Sequence, residues 1–419
     1  MIEVRKRVKG TEMYDKNKVL NAVLKAMKQT DVVDEVKAQE VADMVSLMVS
    51  YKAKENEEQI SVDDIHNLVE NEMMNRGLNE AAKEYILYRD KHRANIFSKR
   101  TNLRPYEYPE LVEYVDAIRH SYWVHTEFNY TSDVQDFMVG LSEVERSAVT
   151  RAMLAISQIE IAVKTFWGDI YKRIPKPEVG NVGATFAESE VRHADAYSNL
   201  IKILGLSEEF EKLLDVPVIR RRIKFLEKSI ANANSSEIEN KDYFENIILF
   251  SIFVENVSLF SQFLVIMSFN KFKNMLKGMS NAVEATSKEE NIHAEFGFDL
   301  INTIKKENPH WWTEDLVEDI VDATIDAYDV ESDIIDWIFE KGDLDFLTKE
   351  QTRHFIKKRY NDSLKKIGIE PIFKEYPYEL KATEWFNDEI FTTKHTDFFN
   401  KRSINYSKRQ KSITEDDLF

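Results

Sequence analysis

The chain has no cysteine, and only 11 glycines and 8 prolines among its 419 residues. Lack of cysteine excludes disulfides and thiolate metal sites, and it leaves the chain no thiol of its own for redox chemistry. Scarce glycine and proline, beside 43% hydrophobic and 11% aromatic residues, point to long helices with few interruptions. No unbroken run of about 18 apolar residues is seen, so no membrane span is expected. The opening Met-Ile-Glu-Val-Arg-Lys-Arg has no apolar segment behind its charges, so no secretory signal is read there and cytoplasmic residence is the default expectation. Positive charge is in deficit, 57 Lys and Arg against 74 Asp and Glu, net −17. That balance argues against nonspecific nucleic-acid binding. The length is enough for two or three domains and a large core.

What is present is a motif written twice. A lone Glu160 is followed by Glu190-Val-Arg-His193, and a lone Glu255 by Glu290-Asn-Ile-His293. Residues i and i+3 share a helix face, so each pair can aim a carboxylate and an imidazole at one point. Both lone glutamates sit in apolar stretches, Met-Leu-Ala-Ile-Ser-Gln-Ile-Glu160 and Ile-Leu-Phe-Ser-Ile-Phe-Val-Glu255. Burying an uncompensated carboxylate costs on the order of several kcal/mol. Two divalent cations balance four carboxylates, and four glutamates with two histidines form the ligand set of a dinuclear site in a four-helix bundle. Hard oxygen donors with some imidazole suit Fe or Mn better than Zn or Cu. A third match, Glu307-Asn-Pro-His310, carries Pro309 inside it and is read as a chance occurrence, because proline disfavours the helical pairing.

Along the chain, residues 1–93 are short charged helices after a basic segment patterned as a β-hairpin. Residues 94–105 fall in a polar, proline-punctuated linker. Residues 106–390 form the long-helix body, in which the stretch 172–183 is read as the loop that delivers the chain to the Glu190 helix. Residues 391–419 form a charged tail without periodicity, ending Thr-Glu-Asp-Asp-Leu-Phe, and are expected to be disordered in isolation.

The duplicated motif resembles the small, radical-generating subunit of class I ribonucleotide reductase, over about residues 106–419. The resemblance implies an all-α, ferritin-like bundle whose dinuclear Fe or Mn centre is held by Glu160, Glu190, His193, Glu255, Glu290 and His293. It also implies a radical tyrosine at Tyr197, one turn after His193 in His-Ala-Asp-Ala-Tyr, and a route to a large catalytic subunit through Trp123, Glu289 and the tail residue Tyr406. Two positions depart from the common pattern: Glu160 and Glu289 stand where many members carry Asp. Both suggest a divergent subgroup, in which the metal pair itself is an alternative store of the oxidant. The missing cysteines agree with a partner that supplies the reducing thiols.

The N-terminal region resembles an ATP-cone, on Val4-Arg5-Lys6-Arg7, Glu12-Met-Tyr-Asp15, Lys18, Ile60-Ser-Val-Asp-Asp-Ile-His66 and Tyr85-Ile-Leu-Tyr-Arg89. The resemblance implies a mostly helical regulatory domain that binds ATP or dATP, with Lys6, Arg7 and Lys18 on the phosphates and Val4, Arg5, Glu12 and His66 around the nucleotide. Gly10 stands one residue later than the cone pattern places its glycine. Such a head implies ATP activation and dATP inhibition, through a change from homodimer to a larger oligomer. Two other functions share the ligand motif, a ferritin-like iron store or ferroxidase and a dimetal oxygenase. Neither has a use for the head and the tail.

Overall fold

The structure, a computed structural model, describes residues 2–5, 11–30, 33–55, 60–92, 95–100, 104–231 and 239–391. The chain divides into two compact units, Met1–Asn95 and Ile96–Phe419.

In the first unit the expected hairpin pairs β1 (Glu3–Arg5) antiparallel with β2 (Thr11–Met13), with Val4 opposite Glu12. A third strand, β3 (Ile60–Ser61), joins β1 in parallel to give the order β2-β1-β3. Two residues are too few to show strand alternation, so this strand leaves no mark on the sequence. Helices α1 (Lys16–Met27) and α2 (Glu35–Glu55) lie between β2 and β3, and α3 (Val62–Asn75) and α4 (Asn79–His92) follow β3. Ser61 and Asp64 form a reciprocal capping box that starts α3 directly from β3. Val23, Met27, Val45, Val69 and Met73 are fully buried in the core of this unit.

The second unit is helical. It runs through α5 (Pro109–Ser121), α6 (Thr131–Gln135), α7 (Glu143–Arg173), α8 (Pro177–Ile203), α9 (Ser207–Glu211), α10 (Pro217–Ala231) and α11 (Asn240–Leu249). A π-helical segment, Phe250–Ser258, joins α11 to α12 (Phe260–Lys273). Then come α13 (Lys277–Glu307), α14 (Glu314–Ile338), α15 (Lys349–Lys366), α16 (Pro377–Lys381) and α17 (Glu384–Phe391). The central bundle is α7, α8, the α11–π–α12 run and α13, with α5 laid across α8 and α13.

Local chemistry sets the ends of these helices. A Ser142–Glu145 capping box opens α7. Asp133 on α6 accepts from the backbone N–H of Gly278 and Met279 and so closes the start of α13. The loop expected over 172–183 is shorter than the sequence suggested. Helix α7 continues to Arg173, and Pro177 opens α8 at its first turn, where its missing N–H costs nothing. Gly180 and Gly183 therefore lie inside α8. At Gly183 a Cβ would run into the Trp167 carbonyl and the Ile170 side chain. The glycine serves the close crossing of α7 and α8, where the sequence suggested a turn.

Among the described residues one continuous helical run, Asn240–Lys273, is long and apolar enough on average to cross a membrane, but its most apolar stretch is 94% buried inside the protein, so its burial agrees with the lack of an unbroken apolar run. Ser251, Glu255, Asn256, Ser258, Ser261 and Gln262 interrupt any strict run, while the dense Phe, Ile, Leu and Val keep the average high. Such burial is that of a core helix.

Candidate metal centre

The candidate ligands come from all four helical runs of the central bundle. Glu160 lies on α7, Glu190 and His193 on α8, Glu255 in the π segment, and Glu290 and His293 on α13. The Glu160 side chain is outside the described residues. Glu190, Glu255, Glu290 and His293 are all buried, and each offers a donor atom within 4.8 Å of the others.

His193 completes the arrangement. Its Nδ1 lies 3.0 Å from Glu290 Oε1 and 3.5 Å from Glu190 Oε2, while His293 Nδ1 lies 3.0 Å from Glu190 Oε1 and 3.5 Å from Glu290 Oε2. Each of these two carboxylates thus presents one oxygen to either imidazole, so both could be shared between two ions held here. Glu255 Oε2 lies 3.3 Å from His293 Nδ1 on one side only, as a terminal ligand would.

The outward nitrogens are braced crosswise. His193 Nε2 lies 2.8 Å from Glu289 Oε2, and His293 Nε2 lies 2.9 Å from Ser189 Oγ. Ser189 donates its own proton to the Phe186 carbonyl, so it accepts from His293. With metal bound, both rings would be held with Nε2–H outward and the Nδ1 lone pair inward, the tautomer a metal ligand needs. The residue before each Glu-x-x-His supports the histidine of the other motif.

The donor chemistry fits a pair of cations. Both Glu190 oxygens and Glu290 Oε1 are buried without a hydrogen bond of good geometry. Burial, then the charge of Glu290, pushes the Glu255 carboxyl well up. Glu290 is held below the usual carboxylate range: burial works against this, and the His193 and His293 imidazoles overcome it. Both histidines are raised well above their usual value. Burial opposes the rise, and the carboxylates around them, Glu190 foremost, outweigh it. A site that pulls protons this strongly onto buried imidazoles is one whose carboxylates call for positive charge. Four carboxylates and two imidazoles meet that call with two hard divalent ions.

The surroundings hold the Glu255 side in place. Trp167 Nε1–H donates to Glu255 Oε1 at 2.7 Å from within a nest of Phe166, Phe186, Phe250 and Phe296. A π turn is a frequent device at functional sites because the extra residue re-aims a side chain. Arg359 on α15 grips this one, donating to the carbonyl and the side-chain oxygen of Asn256, both at 2.6 Å. Gly297 lets α13 pass against Ser251, whose Cβ lies 2.6 Å from where a Cβ at 297 would stand.

The expected path residues divide in two. Tyr197 is buried on α8 one turn after His193. Trp123 is buried, with its ring stacked on His193 at 5.8 Å between centroids and 15° between planes. Glu289 is fully buried and touches His193, Arg192 and Ser121. Tyr406 and the docking tail lie outside the described residues. Pro309 starts a separate 3-10 turn beyond the end of α13. Glu307 instead accepts from the Tyr108 hydroxyl and the Ile96 N–H.

In the first unit, Val4 is buried on β1, and Glu12 beside it on β2 accepts from Lys18 Nζ at 2.9 Å. His66 Nδ1 lies 2.7 Å from the Tyr85 hydroxyl, between α3 and α4. Arg5 belongs to β1, but its side chain, Lys6 and Arg7 are outside the described residues.

Sequence reasoning missed Ser189, Trp167, Arg192 and Arg359. Ser189 could have been found from Glu289, since both precede the glutamate of a motif copy. Trp167 lies two turns after Glu160 on the same helix face. Arg359 left no local signal, because its partner is 103 residues away.

A family model described as the small chain of ribonucleotide reductase matches residues 100–379, and one for the ATP cone domain matches residues 2–94. The chain is 25% identical over 334 residues to a probable ribonucleoside-diphosphate reductase small subunit of Invertebrate iridescent virus 3, covering 77% of this chain and 87% of the relative. It is 27% identical over 297 residues to the ribonucleoside-diphosphate reductase subunit beta of Chlamydia pneumoniae, covering 68% and 83%. Among solved structures, the ribonucleotide reductase R2 subunit from Clostridium botulinum is similar at a TM-score of 0.61 and 20% identity, over 68% of this chain and 89% of that one. The dimanganese(II)-NrdF of Streptococcus sanguinis is similar at 0.59 and 16%, over 70% and 100%. At these identities the solved structures speak for the fold alone.

Proposed function

The chain belongs to the ribonucleotide reductase small-chain family and carries an ATP cone, and from that premise we propose that it generates and stores a one-electron oxidant for a separate large subunit that reduces ribonucleotides. The observation that carries this reading is the pair of carboxylates, Glu190 and Glu290, each spanning both inward imidazole nitrogens. Glu160, Glu190, His193, Glu255, Glu290 and His293 would hold two Fe or Mn ions. When bound, the metal pair supplies one-electron oxidising power drawn from oxygen or a reduced oxygen species.

The chain's own residues do the rest. The buried aromatic nest around Trp167 excludes water from the Glu255 side. Glu289 on His193, with the Trp123 indole stacked on the same ring, gives the α8 side an oxidisable aromatic exit, whereas the ring against His293 on the Ser189 side is Phe186. That asymmetry sets the direction of transfer, toward Trp123 and on to Tyr406 and the large subunit.

Tyr197 is the store in this reading, because its phenol is buried one turn from His193. Tyr197→Phe is expected to remove the tyrosyl EPR signal and turnover while metal content stays unchanged. Survival of signal and turnover would move the store to the metal pair.

The cone is the control element, with Lys6, Arg7 and Lys18 on the phosphates, Val4, Arg5, Glu12 and His66 around the nucleotide, ATP activating and dATP inhibiting. The two nucleotides differ by one hydroxyl and not by charge. Discrimination therefore works through an assembly change, with a coupling of about 1–3 kcal/mol, or roughly 5–150-fold. Light scattering is expected to give a larger oligomer with dATP than with ATP. Deleting residues 1–98 should leave an active subunit that dATP no longer inhibits through this chain. Equal sizes, with no measurable dATP binding, would remove the cone from control.

A further inference from the structure

The π segment Phe250–Ser258 is nine residues long, whereas π geometry ordinarily lasts a single turn inside an α-helix. Holding it that long takes contacts beyond the helix ladder, and two carbonyls of the segment accept from side chains. The Phe253 carbonyl accepts from Ser258 Oγ, and the Asn256 carbonyl from Arg359 Nε, both at 2.6 Å. The serine bond marks the register. A helical hydroxyl normally reaches back three or four residues, as Ser157, Thr286 and Ser363 do here, each to the residue four before it. Ser258 reaches back five, the spacing of a π turn.

Arg359 is a costly residue to bury for packing alone. Among the described residues it forms no ion pair with a carboxylate, and burial pushes its guanidinium down to about 9. Its contacts bracket the end of the π segment. The fork donates to the carbonyl and to the side-chain oxygen of Asn256, and its carbon lies 3.4 Å over the ring of Phe260, the first residue of α12. Asn256 Nδ2 donates in turn to Ser363 Oγ at 2.6 Å, so α15 holds that side chain from both ends. Glu255 stands between the two clasped carbonyls. Its Oε1 accepts from the Trp167 indole N–H at 2.7 Å, and its Oε2 lies 3.3 Å from His293 Nδ1. A return of the segment to α spacing would turn Glu255 about the helix axis and off both partners.

We propose that Arg359 is a positioning residue which, together with Ser258, locks the π register and so keeps Glu255 against Trp167 and His293. This deepens the proposed function and rests on its reading of Glu255 as a metal ligand. Arg359 acts through Asn256 and touches no candidate ligand, and its effect falls on the His293 side of the centre, where Glu255 lies.

The test uses the full chain with Arg359→Gln, Arg359→Lys and Ser258→Ala. The first readout needs no metal: the indole N–H resonance of Trp167 in the 15N-labelled apoprotein, assigned with Trp167→Phe. In wild type it should be that of an indole bonded to a carboxyl oxygen. In Arg359→Gln it should move upfield as Glu255 leaves, and in Ser258→Ala it should move the same way by less. Arg359→Lys should lie between wild type and Arg359→Gln, since one ammonium reaches the Asn256 carbonyl without the fork. The second readout is calorimetric titration with Mn. In Arg359→Gln one ion per chain should bind about as in wild type and the other about 10–100-fold more weakly, the effect of losing a group that orients a ligand. An unmoved Trp167 resonance in Arg359→Gln, or a lower Tm with both ions bound as in wild type, would overturn the proposal and leave Arg359 a packing residue. Should Arg359→Gln fail to fold, Ser258→Ala, which deletes one hydroxyl, decides by the same two readouts. A wild-type chain that binds no pair of ions would instead sink the function proposed above, while the resonance would still decide the register.

Discussion

Removing residues 400–419 is expected to abolish reductase turnover while leaving metal loading and oxidant formation intact. The helices that build the centre end before this segment. The tail is charged, lacks periodicity and closes on Glu415-Asp-Asp-Leu-Phe419. In the proposed function Leu418 and Phe419 would be the apolar anchors for a groove on the large subunit, with the acidic run at the rim. A segment that orders on binding gives modest affinity, so losing both anchors leaves little. Turnover should drop by at least about 100-fold, the consequence of removing a hot spot worth about 3 kcal/mol. A titration of truncated chain against the large subunit separates the outcomes. Normal turnover would remove both the docking role and the Tyr406 relay, since Tyr406 goes with the segment.

His193→Ala and His293→Ala are the second pair of large effects. Each would remove a proposed ligand and also strand the group that braces it, Glu289 in one case and Ser189 in the other. Loss of an outer brace alone typically weakens a metal site by about 10–100-fold, and loss of the ligand itself costs at least the upper end of that range. The carboxylates around the missing ring stay buried with less positive charge to meet them, so the proteins should also be less stable. Metal analysis after dialysis should find the affected position empty, and the oxidant should not form. Because Glu190 and Glu290 each face both imidazoles, each variant should lose more than one position's worth of function. Full occupancy with unaltered turnover in both variants would break the ligand assignment.

Much of the centre was legible because its chemistry is written at helical spacing. Glu190 with His193 and Glu290 with His293 needed only the i, i+3 rule, and the lone Glu255 stood out by its apolar neighbours. What stayed hidden was set by tertiary contact. The π segment that carries Glu255 is held by Arg359 gripping Asn256 across 103 residues, and no local pattern announces it. The loop at 172–183 was overdrawn because Gly180 and Gly183 were read as turn formers, whereas Gly183 thins α8 where it crosses α7. The strand β3 was too short for any periodicity. Ser189 was missed although the duplicated motif marked its position, because the copies were compared at their ligands and not at the residue before them.

Metal stoichiometry with EPR on the wild-type chain, loaded separately with Mn and with Fe, tests the central claim most directly. The geometry predicts about two ions per chain, magnetically coupled through the Glu190 and Glu290 carboxylates, with a one-electron oxidised signal after exposure to oxygen or a reduced oxygen species. One ion per chain, or two ions without magnetic coupling, would contradict it.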